Sequence, residues 1–322
     1  MPKNMDRRNF LKTTYRAVLG AGGTALLGYY YLGKETVKNR ATSIQKRDYS
    51  VPPVDALPDL SIVEGDDIEK MVDRGINLIG GIERFISKGD KVTIKPNIGW
   101  DRVPEQAANT NPDLVKKVVE LCLNAGAEKV IVVDISCNDP VRCYQRSGIA
   151  AKALEAGAVV SIPKERNFRR LKINGSVLDE WPVYKDFIET DKVINIPIAK
   201  HHNLTGLTMG LKNWYGILGG RREALHQKID ESIADLASFI QPTLTILDAY
   251  RILLRNGPQG GSLDDVALKK TIAFSTDQVA IDAFGATLFG LKPESLGFLK
   301  VSYMRGIGEI DLTKIKIARE KI

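Results

Sequence analysis

The chain has 322 residues, 43% hydrophobic and 26% charged, ordinary for a globular protein and long enough for one large domain or two small ones. A mean hydropathy of -0.14 excludes a polytopic membrane protein. The formal charge of +7 is unevenly placed: residues 1–33 carry five basic residues and one acidic one, which leaves +3 on the rest, and no basic stripe interleaved with aromatics marks a nucleic-acid partner.

Residues 5–12 read MDRRNFLK and resemble the twin-arginine export signal. An apolar run rich in Gly and Ala follows over 17–32. This is the layout of a basic region and a short hydrophobic region, too short for an ordinary spanning helix. Five glycines from Gly20 to Gly33 argue against an amphipathic cytosolic helix, since each weakens one. The resemblance implies recognition by the twin-arginine export machinery, which moves folded proteins, often with a cofactor already inserted. The expected location is therefore the periplasm or the outer face of the cytoplasmic membrane. The best cleavage match is the weak Ala41-Thr42-Ser43, and Tyr29, Tyr30 and Tyr31 suit a membrane interface, so a retained N-terminal anchor fits as well as a cleaved signal. Membrane contact is expected only through this segment.

Residues 34–60 turn polar and then proline-bearing, as a linker does, and the domain is expected over 61–322. Helical and strand patterns alternate from there. Helical spacing covers 66–86, 112–125, 145–156, 231–240, 278–289 and 295–304. Strands are expected at 91–96, 129–135, 159–163, 193–198, 244–248, 270–274 and 314–318. Asn111 and Pro112 form a cap and first turn, and Gly126 a stop. Asn174-Gly175 signals a hairpin between 171–173 and 177–183, an insertion spanning about 164–190. Alternation with continuous apolar strands gives an α/β fold, a mainly parallel sheet flanked by helices, with that small antiparallel hairpin.

The stretch 192–220 carries the densest chemistry. An apolar strand runs into Lys200, His201 and His202, and a helix is expected over 205–218. On it Thr205, Thr208, Lys212 and Tyr215, spaced 3, 4 and 3, share one face, with Asn213 beside Lys212. Such a helix start favours a small anionic ligand, with Lys212 as counter-charge. Parallel sheets bind ligands beyond their carboxyl ends. There Lys95 and Asn97, Asp134, and Asp248 close the other strands. His202 is the candidate for proton transfer. A metal ion held by His202, His226 and Asp134 is the alternative. Asn256 to Gly261 reads NGPQGG and could form an anion nest, though it is not a phosphate-binding loop of the G-K-[ST] type. Asp277 is expected as a cap and Asp282 as a pocket residue. The Arg221-Arg222 pair reads as a solvated turn.

Three cysteines, Cys122, Cys137 and Cys143, without a C-x-x-C, provide neither a disulfide framework nor the thiolates of an iron–sulfur cluster. A thiol switch would have to use Cys137 and Cys143.

IKPN at 94–97, NAGAEKVIVVD at 124–134, DKVINIPIAKHH at 191–202, TMGLKNWYG at 208–216, the NGPQGG loop and DQVAIDAFGATLFG at 277–290 stand in a familiar order. Over roughly 60–310 the chain resembles the domain of unknown function 362 family. The resemblance favours His202 over His201 as the family histidine. Many family members append a ferredoxin-like iron–sulfur module, and this chain lacks those cysteines. Two readings follow: an exported enzyme using His202, Lys212 and Asn213 on a small anion, and a non-catalytic protein carrying a cofactor or metal to an exported redox complex.

Overall fold

A computed structural model of the chain describes residues 47–322. The twin-arginine-like segment 1–33 and residues 34–46 lie outside the described residues. In chain order the elements are β1 (Arg47–Asp48), β2 (Leu60–Glu64), α1 (Ile68–Leu78), β3 (Lys91–Pro96), α2 (Pro112–Asn124), β4 (Lys129–Val132), α3 (Pro140–Arg146), α4 (Ile149–Glu155) and β5 (Val159–Val160). Then come β6 (Phe168–Lys172), β7 (Glu180–Tyr184), β8 (Lys192–Ile196), β9 (Ile198–His202), β10 (Gly206–Thr208), α5 (Gly210–Asn213), α6 (Ile229–Phe239) and β11 (Ile240–Gln241). The chain ends with β12 (Leu244–Leu253), β13 (Val266–Ser275), α7 (Gln278–Thr287), α8 (Gly297–Met304) and β14 (Ile317–Lys321).

The central sheet runs β14-β2-β13-β12-β8-β3-β4-β5, with β9 along β12 and β10 along β9. Pairing is parallel from β12 through β8, β3 and β4 to β5, and antiparallel where β13 meets β12 and β2. The fold class is the one the alternation implied, a mainly parallel sheet between helices. Each strand divides its side chains between two cores. Val130, Val132, Ile246 and Phe274 pack with α1, α2 and α4. Ile131, Val133, Leu247 and Ala273 pack with α6, α7 and α8. Two-sided burial explains why these strands read as unbroken apolar runs.

Local chemistry fixes several boundaries as expected. Asn111 accepts from the Asp113 N–H at the start of α2, and Asp277 accepts from Val279 and Ala280 at the start of α7. The 66–86 pattern stops early because Gly80 and Gly81 both take positive φ (106° and 82°). The strand β2 was not anticipated; it adds Leu60, Ile62 and Val63 to the sheet beside β13. At the edge of the expected linker, β1 pairs with β11, and the Tyr49 hydroxyl donates to the Phe187 carbonyl.

Two expectations are corrected. The hairpin β6–β7 exists, but its connection covers 173–179 rather than a tight Asn-Gly turn. The Asp235 carboxylate on α6 collects the N–H groups of Ser176, Val177 and Leu178 and holds the longer loop open. The second correction concerns 205–218, which is not one helix. β9 folds back on β10, pairing His202 with Gly206 and Lys200 with Thr208. Gly206 sits at φ +70° in that turn. Only then does α5 begin, followed by a 3-10 turn over Trp214–Ile217. Asp282 sets this start, since its carboxylate accepts from the Gly210 and Leu211 N–H groups.

Candidate functional site

The carboxyl ends of β3, β4 and β8, with β9 and α5, open on one edge of the sheet and enclose a cavity of about 300 Å³. Its lining brings together Lys95, Asn97, Asp134, Lys200, His202, Thr208, Lys212 and Asn213, all anticipated from the sequence. It also contains Trp100, which the sequence did not single out, Arg222, which was expected in a solvated turn, and Pro258 of the glycine-rich loop.

The floor is an ion pair. Lys95 Nζ lies 2.6 Å from Asp134 Oδ1 and donates to the Pro96 carbonyl. The other Asp134 oxygen accepts from the Ile98 N–H at 2.6 Å. Burial pulls the Lys95 ammonium below its ordinary range, and the Asp134 charge opposes that. Gly216 presses its backbone against this pair. A Cβ there would stand 1.9 Å from Asp134 Oδ1 and 2.6 Å from Lys95 Nζ.

One wall is a chain of amides. Asn195 Nδ2 donates to the Gly210 carbonyl, Asn213 Nδ2 to Asn195 Oδ1, and Asn97 Nδ2 to Asn213 Oδ1. Lys200 Nζ closes the series by donating to Asn97 Oδ1 at 3.0 Å and to the Ala108 carbonyl. Each amide is thereby fixed in orientation. Burial, reinforced by Lys212 and Lys95, lowers the Lys200 ammonium to about 7.

His202 is buried, and its Nδ1 accepts from the N–H groups of Leu204 and Thr205 at 3.2 and 3.3 Å. The neutral ring therefore carries its hydrogen on Nε2. Burial first, then the Lys212 and Lys200 charges, push its pKa down to about 3. His202 thus serves as a neutral hydrogen-bond donor at working pH. In this arrangement the Nδ1 lone pair is engaged by the backbone of its own turn, and a base or metal ligand would need it free. The His202 and His226 rings lie 6.5 Å apart, and His226 stacks on Tyr215 at 6.1 Å. Both Asp134 oxygens are already engaged. The expected His202, His226 and Asp134 set does not converge, and among the described residues no group of three or more His, Cys, Asp or Glu could hold a metal ion.

Lys212 is 8% exposed, and burial and Arg222 lower its ammonium to about 8. Its Nζ sits 4.6 Å from the centroid of the Tyr215 ring and makes no hydrogen bond or ion pair among the described residues. Arg222 donates to the carbonyls of Ile135, Tyr215 and Ser136 and faces the cavity from the turn expected to be solvated. The available signal was its place just after Gly219-Gly220, which lets the chain turn back.

Four anticipated residues lie elsewhere. His201 Nδ1 accepts from the Gly257 N–H, so the glycine-rich loop leans on a histidine. The Thr205 hydroxyl donates to the Leu207 carbonyl inside the β9–β10 turn, which removes the expected helix-start anion site. Asp248 is buried and accepts from the Asn111 and Tyr250 N–H groups. Asp282 caps α5, as described above. Cys137 is exposed at the cavity and Cys143 is buried; both are free thiols.

Residues 92–287 match the family described as Domain of unknown function (DUF362), and Lys95 through Pro258 fall within that stretch. The thylakoid-associated protein sll1697 of Synechocystis sp. (strain ATCC 27184 / PCC 6803 / Kazusa) is 28% identical over 227 residues, 68% of each chain. Among solved structures, the lactate racemase apoprotein from Thermoanaerobacterium thermosaccharolyticum matches with a TM-score of 0.41 at 11% identity, over 76% of this chain and 58% of that one. A Thermotoga maritima protein matches with a TM-score of 0.39 at 12% identity, over 69% and 59%. The chain thus spans less than two thirds of either solved structure.

Proposed function

The chain belongs to the domain of unknown function 362 family, and from that footing we propose that it is an exported protein whose sheet-edge pocket takes a small anionic ligand. The observation that carries this reading is the charge of the lining. Lys95, Lys200, Lys212 and Arg222 face the cavity, against the carboxylates of Asp134 and Glu223. Asp134 is used by Lys95, and Glu223 pairs outward with Arg221. A buried cation without a counter-ion is costly. A bound carboxylate or phosphate would supply that counter-ion. The Nε2–H of His202 and the third Lys200 proton are donors left for the anion's oxygens.

Calorimetric titration with oxalate and with inorganic phosphate tests the reading. Binding is expected near neutral pH, and Lys212→Met should weaken it at least about tenfold, or ~1.4 kcal/mol. The pH dependence has a definite sign. Only the ammonium forms attract an anion, and Lys200 and Lys212 give up their protons near 7 and 8. Affinity should therefore fall as pH rises from about 6 to 9. Affinity unchanged or increased at high pH would remove the proposal.

Export rests on the Arg7-Arg8 pair ahead of an apolar run. The Synechocystis relative is named for its association with thylakoids, in keeping with a membrane-proximal location. Among the described residues no helix is long and apolar enough to cross a membrane. Fused to a reporter that folds before transport, residues 1–45 should direct export, and Arg7→Lys with Arg8→Lys should abolish it. Undiminished export of that double variant would show that the pair is not read.

A further inference from the structure

The cations of the pocket are not equivalent. Lys95 is held by Asp134 and the Pro96 carbonyl. Lys200 is held by Asn97 and the Ala108 carbonyl, and Arg222 by three backbone carbonyls. Lys212 alone among these cations has no hydrogen-bond acceptor among the described residues, and it is more than nine-tenths buried at the cavity wall. A lysine kept only to pair with an anion would gain from a fixed geometry. A lysine with a free nitrogen, desolvated at a cavity wall and near other cations, is arranged to react as an amine.

We propose that Lys212 is a nucleophile that captures a small 2-oxo acid in this pocket as an imine. This rests on the anion-binding reading, since the same donors hold the carboxylate. The neutral Lys212 amine adds its lone pair to the carbonyl carbon, and the carbonyl oxygen takes up the proton lost by nitrogen. The resulting hydroxyl leaves as water after receiving a proton from the Lys200 ammonium. The product is a protonated imine on Lys212 and a neutral Lys200, so charge is conserved. Lys200 suits this step because it titrates near 7 and its amide partner Asn97 keeps it on the pocket wall. The environment of Lys212 keeps part of its amine neutral near pH 7. Burial and Arg222 lower its ammonium, with Cys137 opposing, and His202 and His226 face it uncharged.

The full chain incubated with pyruvate and sodium cyanoborohydride, then mapped by peptide mass spectrometry, tests this. One adduct per chain is expected, on Lys212, at least about tenfold faster than on any other lysine. Its rate should pass through a maximum between about pH 7 and 8, since Lys212 must be neutral while Lys200 still holds its proton. Lys212→Arg should abolish the adduct, because a guanidinium does not form an imine. Adducts spread over surface lysines with Lys212 unmarked would overturn the proposal, and they need no variant to be seen. Oxalate binding without an adduct would sink the imine and leave the anion site standing, whereas failure of both probes would sink both.

Discussion

Asp134→Ala should cost the fold about 3–5 kcal/mol at neutral pH, measured by denaturant unfolding. The change strips from Lys95, which is fully buried, the only carboxylate within ion-pair distance among the described residues, and also orphans the Ile98 N–H. The sign of the pH dependence follows from the same pair. Without Asp134, burial lowers Lys95 further in the folded protein, while the unfolded chain keeps its proton up to the ordinary value of 10.5. The unfolded variant then binds more protons, so its deficit against the parent should shrink as pH rises toward 10. Replacing both partners by apolar residues, Lys95→Met with Asp134→Leu, should recover most of the loss, because an intact buried pair is often no better than a packed one. A loss below about 1 kcal/mol for Asp134→Ala would mean that the pair is not the floor of the pocket.

Gly216→Ala should be the most damaging single methyl in the site. The backbone conformation at Gly216 is not the obstacle. The obstacle is space, since the new Cβ would fall 1.9 Å from Asp134 Oδ1 and 2.6 Å from Lys95 Nζ. Overpacking of this kind costs about 1–3 kcal/mol, and here it also pushes on a charged pair. The two changes should be strongly non-additive. In an Asp134→Ala background the carboxylate that the methyl strikes is gone, so Gly216→Ala should then cost far less. Additive losses in that cycle would show that the glycine is needed for some other reason.

What the sequence could tell differs between fold and site for physical reasons. The caps at Asn111 and Asp277 were readable because they depend on residues two or three places away. The strand ends were readable because polar residues follow apolar runs, and Lys95, Asn97, Asp134 and Lys200 do converge. The helix over 205–218 was misread because a 3-4-3 spacing recurs by chance over so short a stretch, while Gly206 and Gly210, inside it, were the warning. Asn195 was missed although an amide inside an apolar strand is itself a signal that something must satisfy it. Arg222 was placed in a solvated turn for a different reason, since only the preceding Gly219-Gly220 hinted that the chain turns back. Its partners are backbone carbonyls from distant segments, and carbonyls leave no mark in a sequence. The three metal candidates failed on orientation, which residue type alone does not encode.

Alternation along β3 gives the pocket lysine a second consequence. Ile94 faces the core shared with α1 and α2, while Lys95 faces the cavity. A slip of one residue against β8 or β4 would exchange them and drive an ammonium into hydrocarbon. Mispaired arrangements of the sheet are thereby penalised during assembly by several times the thermal energy. The lysine that floors the cavity in the finished molecule also acts as a proofreader while the molecule is being made.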